Sequence, residues 1–391
     1  MIKILDKVLE DDITKDLGLD LMLIKDIDKV SITELDPNHK NYFVIFSRTP
    51  FFPEEISQKI TNDEYALMQK GILRPLIMMV TEQWDLFETF KEYEDSPYKK
   101  FIKHFLDKKV PEENITWIVP DHNYLEQIKF LQQNKDIRVK CKFIQYNAMM
   151  QIMTQVAQKY LMPPHTITKH FSCLCKGRPR HNRIAMIYEL WRNNILTHGN
   201  ISSERYVDIT QTKGYDWIDD KITTESFMNN FEGWEKNSST FKKMLPMDHG
   251  SRPNMHWLRS EYDESQLFES ALVWIACETM HEQDGIFITE KTWKAIAYGK
   301  PFLLNGDPKS LEYLRSLGYK TFGSFWDESY DSMNNVDSIK HISDIVKKLC
   351  EKDIKEINNM YKDMLPILEH NKKLLSENMQ HQNFIKDLQD G

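Results

Sequence analysis

Short apolar runs that do not alternate with polar residues, each followed by a helix-length segment, constrain this chain most. "YFVIFS" at 42–47, "PLIMMVT" at 75–81, "ITWIVP" at 115–120 and "IRVKCKFI" at 137–144 are such runs. Helical spacing lies between them, in "WDLFETFKEY", "SPYKKFIKHFLDKK" and "NYLEQIKFLQQN". A strand with one wet face alternates, whereas a strand covered by helices on both faces does not. The pattern therefore predicts a mostly parallel sheet clothed in helices. It recurs further on. "HFSCLC", "ALVWIACE" and "PFLLN" read as strands. "NRIAMIYELWRNN" reads as a helix, "TEKTWKAIAYG" as a helix closed by Gly299, and "DPKSLEYLRSLG" as a helix closed by Gly318.

A chain of 391 residues exceeds one ordinary core and fits two domains. A helical run over 145–165 ends at "MPPH", where two prolines stop it. This gives an N-terminal α/β domain at 1–165 and a C-terminal one at 166–335. The polar stretch between Tyr206 and Tyr262 reads as an irregular insertion. Residues 336–391 read as a helical tail, in which Pro366 is expected to kink or divide the last long helix. Open α/β sheets bind ligands at the carboxyl ends of their strands, so two Rossmann-like domains are expected to face each other across a cleft.

Charge and composition exclude several classes. The net charge of -8 gives no general attraction to nucleic acid or anionic membrane. The basic stripes at 99–109 and 135–142 leave a local phosphate-binding groove open. No run reaches the length of a membrane span, and "MIKILDKVLEDD" lacks the apolar core of a signal peptide. A cytoplasmic protein with reduced thiols is expected. The pair Cys173 and Cys175 has no second pair at ligand spacing, so no metal is expected. Neither a Walker loop nor G-x-G-x-x-G is present, which disfavours an ATPase or a dinucleotide-dependent dehydrogenase.

Two clusters remain. Thr289, Glu290 and Lys291 stand where a loop enters a helix. Unpaired N–H groups and the positive dipole end there suit a phosphate, and Lys291 adds a full charge. Glu290 suits a diol. The plainer alternative makes Thr289 an N-cap and Glu290 a dipole-favouring residue. The second cluster, "CKGRPRHNR", holds Arg178, Arg180 and Arg183 between a strand and a helix. Arginine forks bind diphosphate oxygens in pairs; a solvated basic turn is the alternative.

The elements "I-T-E-K-T-W" at 288–293 and "G-K-P-F-L-L-N-G" at 299–306 resemble the donor-binding part of the alpha-1,3-fucosyltransferase family over about 50 residues. Residues 170–330, with "R-P-R-H-N-R" and "L-R-S-L-G-Y-K-T-F", resemble a loose group of tailed-phage glycosyltransferase-like proteins. The resemblance implies the two-domain GT-B architecture and transfer of a sugar from a nucleotide sugar to an acceptor hydroxyl. It implies that Glu290 holds the ribose, Lys291 the phosphates, and an arginine of 178–183 the diphosphate. Glu278 falls where the fucosyltransferases have a Glu-Asn pair, but Thr279 replaces the Asn, so fucose is not carried over.

Transfer needs a base for the acceptor hydroxyl. Asp121 and Glu82 follow strand-like runs and are the candidates, with His122 third. No cofactor is implied beyond the nucleotide-sugar co-substrate, and no metal. The phage resemblance points to hydroxymethylated pyrimidines in duplex DNA as acceptor, in the host cytoplasm. A surface glycan or protein acceptor, a GT-B nucleotide-sugar epimerase, and a non-catalytic nucleotide-binding or structural phage protein are the alternatives.

Overall fold

A computed structural model of the chain describes residues 2–7, 9–10, 27–47, 58–79, 103–119, 140–160, 167–175, 180–203, 206, 224–248, 270–278, 286 and 288–390. The chain forms two compact units. One comprises Met1–Ile152, Gln283–Phe287 and Asn378–Gly391, and the other Met153–Glu282 and Ile288–Glu377. Each is an α/β unit on a parallel or mostly parallel sheet, as the non-alternating runs predict.

The first sheet contains β1 (Ile2–Leu5), β2 (Leu9–Glu10), β3 (Asp28–Val30), β4 (Lys40–Ser47), β5 (Leu73–Met79), β6 (Thr116–Val119) and β7 (Lys142–Gln145). Its order is β3-β1-β4-β5-β6-β7, with β2 also pairing β4, and all pairings are parallel. Tyr42, Phe43, Val44 and Ile45 of β4 are all fully buried, which is why that run shows no period of two. Helix α1 (Asn62–Gln69) begins with a capping box between Thr61 and Glu64 and buries Tyr65 and Met68 against the core. The strands β1 to β3 are short and were not read from the sequence.

Helix α2 (Ala148–Lys159) is shorter than the expected 145–165 run. In the second unit, β8 (Lys169–Cys175) leads into α3 (His181–Arg192). Then come β9 (Gly199–Ser203), α4 (Thr224–Met228), α5 (Trp234–Met244) and β10 (Met247–Asp248). So the described part of the 206–262 stretch is largely helical rather than irregular. Then follow β11 (Ala271–Cys277), α6 (Glu290–Ala297), β12 (Phe302–Asn305) and α7 (Ser310–Ser316). The sheet order is β10-β9-β8-β11-β12, parallel except for β10. Gly299 (φ 62°) and Gly318 (φ 89°) end α6 and α7 in the left-handed region, as expected of helix-closing glycines.

The expected tail at 336–391 is not a part of its own. Helices α8 (Asn335–Cys350) and α9 (Ile354–Ser376) belong to the second unit, and α10 (Gln380–Asp390) to the first. The reason is hydrogen bonding as much as apolar contact. Asn358 of α9 bonds both the N–H and the carbonyl of Ile167, ahead of β8. His370 donates to the Gly318 carbonyl at 2.9 Å and Lys372 to the Ala297 carbonyl at 3.1 Å, so α9 satisfies the open ends of α7 and α6. In the first unit, Tyr42 donates to the Leu388 carbonyl at 2.9 Å, and the Phe384 ring lies 4.5 Å from that of Tyr146. Pro366 does not divide α9, which runs for 23 residues through it. Buried Met364 and Leu368 hold the helix on either side against the roughly 3 kcal/mol that an interior proline costs.

Candidate functional site

Strand order reverses in the second unit between β8 and β11. The chain moves outward from β8 to β9, then returns to β11 and goes on to β12. Such a reversal sends the two connections apart and leaves a crevice beyond the carboxyl ends of the two strands. Cys175 ends β8 and Cys277 ends β11. The helices that open nearest those ends are α3 and α6, so both sequence-derived clusters stand at this switch point.

Glu278, the residue after β11, organises the place. It is 1% exposed, and both its oxygens are occupied. Oε1 accepts from Thr292 Oγ1 at 2.6 Å. Oε2 accepts from the Thr289 N–H at 3.3 Å and from the Thr289 hydroxyl. Lys291 Nζ lies 4.0 Å from the same oxygen. Burial raises the Glu278 pKa, while Lys291 and the two threonines act to lower it. The resemblance puts Glu278 among the donor-binding residues; its contacts make it the anchor of the first turn of α6.

Asn182 links the other helix to the same residue. Its Nδ2 donates to the Glu278 carbonyl at 3.0 Å, and its Oδ1 accepts from the Arg183 N–H at 2.9 Å. Gly306, beyond β12, has Glu278 beside it: a Cβ there would lie 3.2 Å from the Glu278 Cγ and 2.7 Å from Leu304. The glycine in "PFLLNG" is thus explained by close approach. Asn182, Thr292 and Gly306 were not singled out from sequence. Only the i, i+3 spacing of Thr289 and Thr292 hinted that both hydroxyls share a face.

Thr289 caps α6, its hydroxyl accepting from the Lys291 N–H. Adjacent helical positions diverge by about 100°, which suggests that Glu290 and Lys291 point apart. They do not. Lys291 Nζ folds back to Thr289 Oγ1 at 2.8 Å and Glu290 Oε1 at 3.0 Å. The long lysine stem allows this, and the first helical turn offers the oxygens. Burial alone would raise the Glu290 pKa; Lys291 and Lys294 outweigh it and hold the carboxyl below its ordinary value. Trp293 fixes the helix from beneath, fully buried and donating from Nε1 to the Ile288 carbonyl at 3.1 Å.

At α3, Arg180 is the N-cap residue and forms no side-chain cap bond. His181 follows, its ring 4.5 Å from that of Phe227 and its pKa pushed down to about 4 by burial and by the Arg180 charge. Arg183, in the first turn, is 7% exposed. Its charge acts on Cys175 and Cys277 at the strand ends. Glu278, Thr289, Glu290 and Lys291 thus meet at the start of α6, while Arg180 and Arg183 stand at the start of α3, the helix that Asn182 ties to Glu278. Arg178, Asp121, His122 and Glu82 lie outside the described residues.

One further arrangement was not visible in the spacing. Cys277 joins Cys173 and Cys175, and the three sulfurs lie within 4.8 Å of one another. The pair on β8 is 3.7 Å apart. All three are buried.

No family model matches the chain, and no curated protein matches it. The resemblance to the fucosyltransferases is therefore not shown. Among solved structures, the chain is similar to the DNA-modifying enzyme beta-glucosyltransferase, studied with and without its substrate uridine diphosphoglucose. The identity is 12% and the TM-score 0.47, over 100% of this chain and 99% of that one. It is also similar to a UDP-forming alpha,alpha-trehalose-phosphate synthase from Burkholderia vietnamiensis, with 11% identity and a TM-score of 0.33, over 90% and 68%. Neither figure carries a substrate or a residue role over to this chain.

Proposed function

We propose that the chain is a glycosyltransferase of the two-domain GT-B kind, taking a nucleoside diphosphate sugar at the carboxyl edge of its second sheet. One observation carries this reading. Two helices open at a single topological switch point, tied together by Asn182 and Glu278; Arg180 begins one, and Lys291 and Glu290 stand on the first turn of the other. Two cations beside a helix mouth suit a diphosphate. A carboxylate held ionised beside them suits the two hydroxyls of a ribose.

Lys291 and Arg180 hold the diphosphate and stabilise the negative charge that grows on it as the sugar leaves. Lys291 must exchange its Thr289 and Glu290 contacts for phosphate oxygens when donor binds. Glu290 is then released to accept from the ribose. Asp121 and Glu82 follow β6 and β5 in the sequence and are the proposed bases for the acceptor hydroxyl. The resemblance to tailed-phage proteins favours hydroxymethylated pyrimidine in DNA as that acceptor.

A thermal-unfolding panel of nucleoside diphosphates tests the donor site. A ligand at about 100 times its dissociation constant adds roughly 2.7 kcal/mol of stability. A flat panel would remove the donor site. Transfer of labelled sugar to hydroxymethylated but not to unmodified duplex DNA tests the acceptor. Donor binding without transfer to DNA would leave the donor site standing and remove only that acceptor.

A further inference from the structure

The amino edge of the second sheet, opposite the donor site, carries its own cluster. β8 and β9 pair in parallel with Phe171 opposite Gly199. A Cβ on Gly199 would lie 2.4 Å from the Phe171 ring, so glycine is needed for this register. The same register brings His170 and His198 side by side, with ring centroids 5.1 Å apart. Cys350, the last residue of α8, reaches the same point. Its helix is held in place by a 2.9 Å bond from Asn193, just past α3, to Ser343.

One ligand atom from each of His170, His198 and Cys350 lies within 4.8 Å of the others. The second feature is the support behind His170. Its Nε2 stands 2.9 Å from the Lys352 carbonyl. A carbonyl can only accept, so Nε2 carries the proton and Nδ1 keeps the lone pair. A backbone carbonyl behind a histidine is the usual second-shell device for orienting a metal ligand. His170 is buried, while His198 and Cys350 are half-buried, which gives an ion a path from solvent.

We propose that His170, His198 and Cys350 form a binding site for a zinc-class ion, with a fourth position for water, that pins the end of α8 to the amino edge of the second sheet. Two imidazoles and a thiol are a borderline-soft set. They suit Zn²⁺ or Co²⁺ and not the oxygen-seeking Mg²⁺ or Ca²⁺. Bonds of about 2.0–2.3 Å need ligand atoms nearer than 4.8 Å, and side-chain rotation of about an ångström supplies the difference. The thiol cluster of Cys173, Cys175 and Cys277 is the rival seat. All three cysteines are buried, which gives an ion no path from solvent, so it is the poorer one. The proposal is independent of the glycosyl-transfer reading.

The test is titration of the chelator-stripped full-length protein with Co²⁺, followed by absorption. One equivalent should bind and give a thiolate-to-cobalt charge-transfer band. Cys350→Ser should abolish that band, and His198→Asn should weaken binding by at least about tenfold. Zn²⁺ should raise the melting temperature of the parent and not of Cys350→Ser, a comparison that also reports whether the variant is folded. Absence of binding by the folded parent overturns the proposal. A band that survives Cys350→Ser but is lost in Cys277→Ser places the metal in the thiol cluster and overturns it equally.

Discussion

The two helices that open at the carboxyl edge of the second sheet begin in opposite ways. Helix α6 is satisfied from within: Thr289 caps it, Glu278 bonds Thr289 and Thr292, and Lys291 folds back onto the cap. Helix α3 begins at Arg180, which forms no side-chain cap bond. Asn182 answers one first-turn donor of α3 as well, the Arg183 N–H, so what sets α3 apart is the arginine charge at its start. The contrast divides the labour. On the proposed reading α3 is the phosphate seat, and α6 is the mount that carries Lys291 and Glu290.

The largest effect should come from removing what holds the mount. Glu278→Ala leaves two buried hydroxyls without their acceptor and takes away one of the two buried carboxylates beside Lys291. A loss of about 3–5 kcal/mol is expected in urea unfolding, as for other broken buried ion networks. Glu278→Gln should cost less, since its carbonyl still accepts. Equal, small losses for both variants would mean that α6 is held by Trp293 and its apolar face alone, and the contrast between the helices would weaken.

His181 gives the next effect, on the α3 side. The unfolded chain takes up this proton near pH 6.5, the folded one only near pH 4. Between those values the unfolded state binds more protons, so stability falls as the solution is acidified. The contribution is complete above about pH 6.5 and lost by about pH 4, and it amounts to at most about 3 kcal/mol. His181→Phe retains the contact with Phe227 and should flatten this part of the stability profile. A parent and variant with parallel profiles between those pH values would show that the α3 mouth leaves the ring free to protonate.

The sequence disclosed the strands through their burial and the helix ends through their glycines. Runs such as "YFVIFS" and "ALVWIAC" are apolar on both faces because helices cover both faces, and composition alone reports that. β9 escaped because "GNISS" has no apolar run; its place is set by the Phe171 ring lying over Gly199, a contact between residues far apart in the chain. The two charged clusters were found because their residue types are unusual at helix mouths. Their linkage was not, since Asn182 meets Glu278 across 96 positions. Arg183 is no solvated residue of a basic turn: at 7% exposure, Arg183→Ala should lower the melting temperature as well as any nucleotide affinity.

Arg180 therefore makes the cleaner probe of the phosphate seat. Arg180→Ala should weaken nucleoside diphosphate binding by about 1.5–3 kcal/mol, the range for a hydrogen bond to a charged group, with a smaller change in stability. Thr289→Ala should do the reverse on the other helix. It removes a cap worth about 1 kcal/mol and should leave nucleotide affinity close to that of the parent once the protein is folded. Calorimetric titration beside urea unfolding separates the two. If Thr289→Ala costs as much affinity as Arg180→Ala, the phosphate sits on α6, and the assignment of roles to the two helices is reversed.

The smallest and most discriminating effect belongs to Glu290. It is 9% exposed, and its carboxylate touches Lys291 at 3.0 Å. Beside the dipole's positive end, a carboxylate stabilises the helix by a few tenths of a kcal/mol to about 1 kcal/mol whether or not it binds anything. Loss of stability in Glu290→Ala is therefore no evidence of function. What distinguishes a ribose ligand is the kinetic signature. Contacts to the ribose change little between bound donor and transition state, so Glu290→Ala should raise the donor KM with kcat nearly unchanged. Glu290→Gln should raise it less, because an amide oxygen still accepts from one hydroxyl. Lys291→Ala should instead lower kcat, since the diphosphate gains charge as the sugar leaves. Donor hydrolysis kinetics on the three folded variants decide the matter. If KM is unmoved by Glu290→Ala while stability drops, Glu290 only favours the dipole, and α6 contributes to the site through Lys291 alone.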